Sequence, residues 1–294
     1  MCSAKSQAMA SQREDQKPLT TINHEDYMID AGGELFPLSS LKPWDIPLAM
    51  CCPCCLGNPC SSVRREWAFR QLRTFLGMIT FIQGIVFLAE LGNCRLGQVF
   101  HIPNYVLVEF GAKDTTLIRQ GQVFRLVMPM LLHAGLSHLL IVAIAQLCYG
   151  LQLERQWGWK RTMAIYITSA ITGSLTSVLV APDSISGGAA AAVFGLIGGN
   201  VAHIACGWHL MTRPERRVTL ITVAIYFVIM TLFSLSFEID LAAHVGGLIG
   251  GFAIGMGFFA HLLKNEHARS YLPTWSLVMV VAFIVAALGH IFNP

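Results

Sequence analysis

Two short stretches in the second half of the chain decide its fold. The first reads GAAAAVFG over residues 188–195, and the second reads AAHVGG over residues 242–247. Each opens an apolar segment of about 20 residues, the length that a helix needs to cross a bilayer. Both segments are rich in glycine and alanine, which favours close contact between two helices over contact with lipid. The two stretches therefore predict membrane helices that pack tightly against each other.

The composition of the whole chain agrees with a membrane protein. Hydrophobic residues make up 54% of the chain and charged residues 13%, about half of the ~25% that is usual in soluble domains. Seven apolar runs are candidate spans, at residues 74–91, 136–153, 162–180, 188–206, 218–235, 241–263 and 274–292. The predicted fold class is an all-α polytopic membrane protein.

The charges of the connecting segments predict the orientation. Basic residues precede span one and lie in the connections two–three, four–five and six–seven, whereas residues 181–187 and 236–240 carry only acids. Because Lys and Arg accumulate on the cytosolic side, we expect a cytosolic N-terminus and a luminal or extracellular C-terminus. The connection at residues 93–135 is long and apolar around Tyr105, so we expect it to be more than a linker.

This topology predicts that four distant residues lie at one depth. Spans two, four and six all begin on the non-cytosolic side, which places His133, His138, Ala190 and His244 near the same membrane face. Polar side chains at that depth are expected to face the bundle interior, because exposing them to lipid is costly.

These motifs, in this order, resemble those of the rhomboid family of intramembrane serine proteases. The resemblance covers residues 70–263, and the extra C-terminal span resembles eukaryotic-type members. Supporting motifs are GQVFR at 121–125 (the family's Trp-Arg motif, with Phe124 for Trp), the pair His133 and His138, Gly150-x-x-x-Glu154-x-x-x-Gly158, and Gly173, Ser174, Ser177 and Pro182. The resemblance implies a rhomboid-like bundle of six transmembrane helices plus a C-terminal seventh.

The resemblance also implies the positions of a catalytic dyad. His244, followed by Gly247 and Gly251, matches the family's histidine helix, and Phe194 matches the aromatic residue that packs on the histidine ring. Ala190 stands where the family has its nucleophilic serine. A methyl group cannot attack a carbonyl, so the covalent route of a serine protease is absent. Without the family motif, His244 would be interpreted as a hydrogen-bonded packing histidine.

Two further positions depart from the family pattern. Ala191 replaces the usual glycine, and Val142 replaces an asparagine that donates a hydrogen bond to the oxyanion. His138 and Gly188 complete the predicted oxyanion region. Loss of one oxyanion donor typically costs about 10²–10³ in rate. The sequence therefore predicts two independent defects in catalysis, the missing nucleophile at Ala190 and the missing oxyanion donor at Val142.

Three other residues are candidate substitute nucleophiles. Ser184 and Ser186 precede the motif, and Cys206 lies deeper in the same span. Ser186 is interpreted as a loop or N-cap serine, and we expect none of the three to act. The missing serine leaves two explanations: a natural pseudoprotease, or an active enzyme in which the serine was replaced. A single replacement would not account for Ala191 and Val142, so the first explanation is favoured.

Two regions are predicted along the chain, a cytosolic and largely disordered segment at 1–66 and a rhomboid membrane domain at 67–294. The first contains Cys51, Cys52, Cys54 and Cys55. Disulfides are rare in the reducing cytosol, and no histidine lies nearby at zinc-ligand spacing. Reversible palmitoylation suits a juxtamembrane cluster beside basic residues, with a metal site or no special role as alternatives.

The leading functional expectation is a non-proteolytic rhomboid that binds transmembrane segments of client proteins within the lipid bilayer. The alternative is an intramembrane serine endopeptidase in an inactivated form. A transporter or channel is disfavoured, because the spans hold almost no ionisable residues besides histidine and show no repeated half-structure. We expect no cofactor, no metal and no nucleic-acid partner.

Overall fold

The structure, a computed structural model, describes residues 28–30, 35–37, 73–95, 97–236 and 240–293, with the backbone alone at 28–30, 35–37 and 233–236. Contacts divide the chain into Met1–Gln71 and Leu72–Pro294. In the first unit, strand β1 (Met28–Asp30) pairs antiparallel with β2 (Leu35–Pro37). This hairpin lies in the segment that we expected to be disordered. The cysteine cluster at 51–55 lies outside the described residues.

Seven long helices make up the second unit. They are α1 (Phe75–Gly92), α2 (Leu136–Trp157), α3 (Trp159–Val180), α4 (Ala190–Gly207), α5 (Arg213–Ser236), α6 (Leu241–Phe259, extended by the 3-10 turn Ala260–Leu262) and α7 (Glu266–Phe292). Among the residues that the structure describes, six of these helices, α1 to α4, α6 and α7, are long and apolar enough to cross a membrane. The predicted span at 218–235 is helical within α5, whose first turns are charged. The predicted helical bundle is confirmed.

The long connection between α1 and α2 is folded, as its apolar residues predicted. It contains the short helices Asn104–Glu109 and Thr115–Arg119 and three 3-10 turns. Ile102, Val106 and Leu132 are buried there and pack against Phe87 of α1. The connection therefore forms a small core of its own at one end of the bundle.

Helix α6 lies between α3 and α4, and glycine determines how closely it approaches them. A Cβ atom on Gly247 would overlap the carbonyl oxygen of Ala191, and one on Gly251 would overlap that of Gly195. A second row, with Gly250, meets Thr172 of α3 in the same way. The predicted contact between spans four and six is confirmed, and α6 uses two of its faces for such contacts.

Two polar contacts anchor the outer helices to this centre. The Glu154 carboxylate accepts hydrogen bonds from the backbone N–H groups of Phe75 (2.7 Å) and Leu76 (2.9 Å), which have no acceptor within the first turn of α1. In the middle of α2 a π-helical segment, Ala145–Gly150, carries Tyr149. Asn200 of α4 donates to the Tyr149 hydroxyl at 2.9 Å.

Candidate active site

Several of the residues that the sequence singled out line one cavity. Its volume is about 360 Å³, and its lining includes His138, Gly188, Ala190 and His244. These residues belong to α2, α4, α6 and the connection that precedes α4. The predicted convergence of spans two, four and six at one end of the bundle is therefore observed.

Ala190 and His244 occupy the first turns of two helices in contact. Ala190 begins α4, and His244 is the fourth residue of α6. Phe194, one turn after Ala190, stacks on the imidazole with ring centroids 4.7 Å apart and planes 18° from parallel. This stacking restricts the orientation of the His244 ring. The buried Nδ1 atom of His244 has no hydrogen-bond partner within the described part of the chain.

The region next to Ala190 is shaped by Gly188 and His138. A Cβ atom on Gly188 would overlap the His138 ring, so only glycine leaves room for that histidine. The Gly188 N–H donates to the Pro129 carbonyl at 2.8 Å, and Gly188 bridges to His133 in antiparallel fashion. The His133 and His138 rings lie edge to face with centroids 5.4 Å apart.

Val142 has a different environment from the predicted oxyanion region. Its side chain is fully buried in the main apolar core and does not line the cavity. His138 lies one helical turn earlier and does line it. An asparagine at 142 would therefore enter an apolar environment in this chain, which the sequence motif did not indicate.

The substitute nucleophiles fall into two groups. Ser184 and Ser186 line the cavity, whereas Cys206 lies in the main core with its sulfur 3.8 Å from that of Met256. The Ser184 hydroxyl donates to the Ala181 carbonyl at 2.9 Å. The backbone of Ser186 pairs with that of Lys113.

Arg125, from the motif that resembles the family's Trp-Arg pair, supports the site from a distance. Its Nη1 atom donates to the carbonyls of Val108 (2.7 Å) and Ala112 (3.0 Å), and its Nε atom donates to Gln122. Burial lowers the pKa of the guanidinium, and Asp114 raises it. Arg125 therefore ties the folded connection together without contacting the cavity.

The sequence did not single out two charged residues at the cavity. Asp240 lines it and caps α6 by accepting from the Ala243 N–H at 3.1 Å. An aspartate immediately before an apolar run is a helix-start signal, so this cap was detectable. Lys113 is fully buried near the same rim, and no local pattern distinguishes it.

Comparison with known proteins agrees with this arrangement. A family model described as "Rhomboid domain" matches residues 120–261. The chain is 31% identical to "Rhomboid-like protease 2" of Toxoplasma gondii, over 70% of each chain. It is 39% identical to "Rhomboid-like protease 1" of the same organism, over 62% of this chain and 61% of that protein. It is 33% identical to "RHOMBOID-like protein 7" of Arabidopsis thaliana, over 88% of this chain and 83% of that protein.

The chain belongs to the rhomboid family, and it is a multi-pass membrane protein.

Proposed function

We propose that this chain is a non-proteolytic rhomboid that binds transmembrane helices of client proteins. The observation that carries the proposal is the alanine at residue 190, at the start of α4 and beside the stacked pair Phe194 and His244. The stacked histidine lies beside position 190, but the side chain at that position is a methyl group without a hydroxyl.

The oxyanion region supports the same proposal. In relatives an asparagine is expected at the position of Val142, whereas Val142 is buried in the apolar core. Attack by a serine at 190 on a peptide carbonyl of a substrate would place the negative charge on the former carbonyl oxygen. His138 lines the cavity and is a side-chain donor for that oxyanion, and each missing donor costs about 10²–10³ in rate. Loss of nucleophile and donor together favours a natural inactive member over a single replacement.

Apolar surfaces beside the cavity suit a helical client. Helix α2 exposes Leu140 and Ile144. On α5, Phe227 is partly exposed and meets Phe194 edge to face, with centroids 5.9 Å apart. A client helix in lipid beside α5 would be separated from the His244 ring by these two aromatic residues.

The alternative function is an intramembrane serine endopeptidase in an inactivated form. Two observations favour it: relatives are named proteases, and the His244 ring is stacked on Phe194 beside the cavity that Ala190 also lines. We give it second place because Ala191 and Val142 also depart from the family pattern.

A cleavage assay separates the two functions. The parent, Ala190→Ser and the triple variant Val142→Asn/Ala190→Ser/Ala191→Gly would each be reconstituted with a single-span substrate. We expect no cleavage by the parent and little or none by Ala190→Ser. Robust cleavage by Ala190→Ser alone would contradict the proposal and support the inactivated enzyme.

Client binding has its own test. A photocrosslinking residue would replace Leu140, which is exposed on α2, or Met279, which is exposed on the C-terminal helix. We expect single-span proteins to crosslink at position 140 in preference to position 279. Equal crosslinking at both positions would indicate random encounters in the membrane and would contradict client binding.

A further inference from the structure

Lys113 is a fully buried lysine outside the predicted dyad. Its Nζ atom donates to the carbonyl oxygens of Ala181 (2.6 Å) and Ser184 (2.8 Å), and it lies 3.1 Å from the Ser184 hydroxyl oxygen. An ammonium group has three donors, and these three acceptors can satisfy all of them. Every acceptor comes from the connection between α3 and α4.

The backbone of Lys113 holds the same connection. Its N–H donates to the Ser186 carbonyl at 2.9 Å, and its carbonyl accepts from the Ser186 N–H at 3.3 Å. A single residue of the α1–α2 connection thus holds residues 181–186 through both its side chain and its backbone.

Asp240 holds the connection from the opposite side. Its Oδ2 atom lies 3.4 Å from the Ser184 hydroxyl and accepts a hydrogen bond from the Ser177 hydroxyl. Its Oδ1 atom caps the N-terminus of α6, one turn before His244. Ser184 is therefore the common contact of Lys113 and Asp240.

The charges around Lys113 favour its ammonium form. Burial lowers the pKa of Lys113 below its usual value, and the nearby carboxylates of Asp240, Asp114 and Asp183 offset part of that effect. A protonated amine that donates to two carbonyls has no lone pair for proton abstraction. Lys113 is therefore a poor base for Ser184, and the cluster acts by holding the connection in place.

The connection is also a wall of the cavity. Asp183, Ser184, Ile185 and Ser186 all line it. Ile185 is the one large apolar side chain among them, and it is exposed. The connection is held by polar contacts with Lys113 and Asp240, and a segment with few buried apolar contacts opens more readily than the core.

We propose that Lys113, Ser184 and Asp240 form a latch that keeps residues 181–187 closed over the cavity and that its release admits a segment from the aqueous phase. That the admitted segment belongs to a client rests on the proposed function. The latch itself does not depend on client binding.

Thiol accessibility in the full chain tests the latch. Ala190→Cys places a thiol in the cavity, and labelling by a water-soluble maleimide is followed at each cysteine by peptide mapping. Buried Cys206 in the core of α4 reports unfolding in the same molecules. We expect Lys113→Met to accelerate labelling at position 190 by about tenfold, which corresponds to about 1.4 kcal/mol, with Cys206 unchanged.

Two further variants keep the test decisive. Lys160→Met removes an exposed lysine at the start of α3 and should leave labelling at position 190 unchanged. Ser184→Ala removes the shared contact with a smaller change, and it decides the matter should Lys113→Met fail to fold. Unchanged labelling at position 190, or equal acceleration at Cys206, would overturn the latch.

Discussion

At the scale of single residues, an alanine and a stacked histidine line the same cavity. His244 is stacked on Phe194, and Gly188 leaves room for the His138 ring. These contacts depend on ring shape and on the absence of a Cβ atom, so they persist without a nucleophile. The packing of these rings therefore does not depend on a hydroxyl group at position 190.

A serine-directed probe should detect no nucleophile in this chain. The reason is that Ala190 has only a methyl group and that the Ser184 hydroxyl is already hydrogen bonded. A fluorophosphonate probe applied in detergent should leave the parent unlabelled. Labelling that disappears in Ser186→Ala would identify a substitute nucleophile and contradict this prediction.

His133 should make the stability of the fold depend on pH. Burial, with a smaller contribution from nearby His138, lowers the pKa of His133 well below its usual value. An unfolded histidine binds a proton below about pH 6.5, whereas the folded His133 does not. Stability is thus present above pH 6.5 and is lost as the pH falls, by on the order of 1 kcal/mol per pH unit.

The measurement is thermal unfolding in detergent between pH 7.5 and pH 5 for the parent and for His133→Gln. The fall in melting temperature should be smaller in the variant than in the parent. His101→Gln changes an exposed histidine and serves as the control. Parallel pH curves for all three proteins would show that His133 takes up its proton without unfolding.

At the scale of helices, glycine allows α6 to reach two neighbours at once. Gly247 and Gly251 meet the backbone of α4, and Gly250 meets Thr172 of α3. Association of membrane helices depends on close packing, so these positions determine how near the cavity walls come. Asp240 caps the N-terminus of α6. His244, in the first turn of that helix, lines the cavity.

Gly251→Leu should destabilise the bundle. Its Cβ atom would overlap the rigid backbone of Gly195, and overpacking commonly costs about 1–3 kcal/mol. Gly84→Leu is the matched control, because a Cβ atom on Gly84 meets nothing within 4 Å. Exposed Ala224 on α5 provides a second control as Ala224→Leu.

Melting temperatures in detergent decide this prediction. We expect a lower value for Gly251→Leu and values near the parent's for both controls. If Gly251→Leu had the same melting temperature as the parent, that face of α6 would be exposed to lipid. The proposed close packing of α4 against α6 would then be wrong.

At the scale of the whole molecule, alternate helix ends meet at the cavity. The N-termini of α2, α4 and α6 contribute His138, Ala190 and His244 to it. The basic residues Arg155, Lys160 and Arg161 lie at the opposite end of α2 and the start of α3. This separation is the basis for the predicted orientation.

Glycosylation tests that orientation. Basic connections stay cytosolic, so an acceptor site added after Pro294 should be modified, and one placed before Lys42 should not. The modification is read as a shift in mobility that a glycosidase removes. The reverse result would overturn the direction of the spans and place the cavity on the cytosolic side.

The sequence by itself predicted the class of this protein, its seven apolar segments and the positions that match the family's dyad. Length, composition and the spacing of glycine and histidine are local properties, and segments two, four and six share a depth because spans alternate in direction. His138, Ala190 and His244 could therefore be placed together before any contact was known.

Only the tertiary structure decided where Val142 and Lys113 lie. Val142 has the spacing of an oxyanion donor, but the rotation of α2 turns it into the apolar core. Lys113 meets Ser184 across 71 residues of chain, and no periodicity reports such a contact. Contacts between residues so far apart in sequence depend on how whole helices and connections pack against each other. The periodicity of one segment predicts its own secondary structure and does not report its partners in other segments.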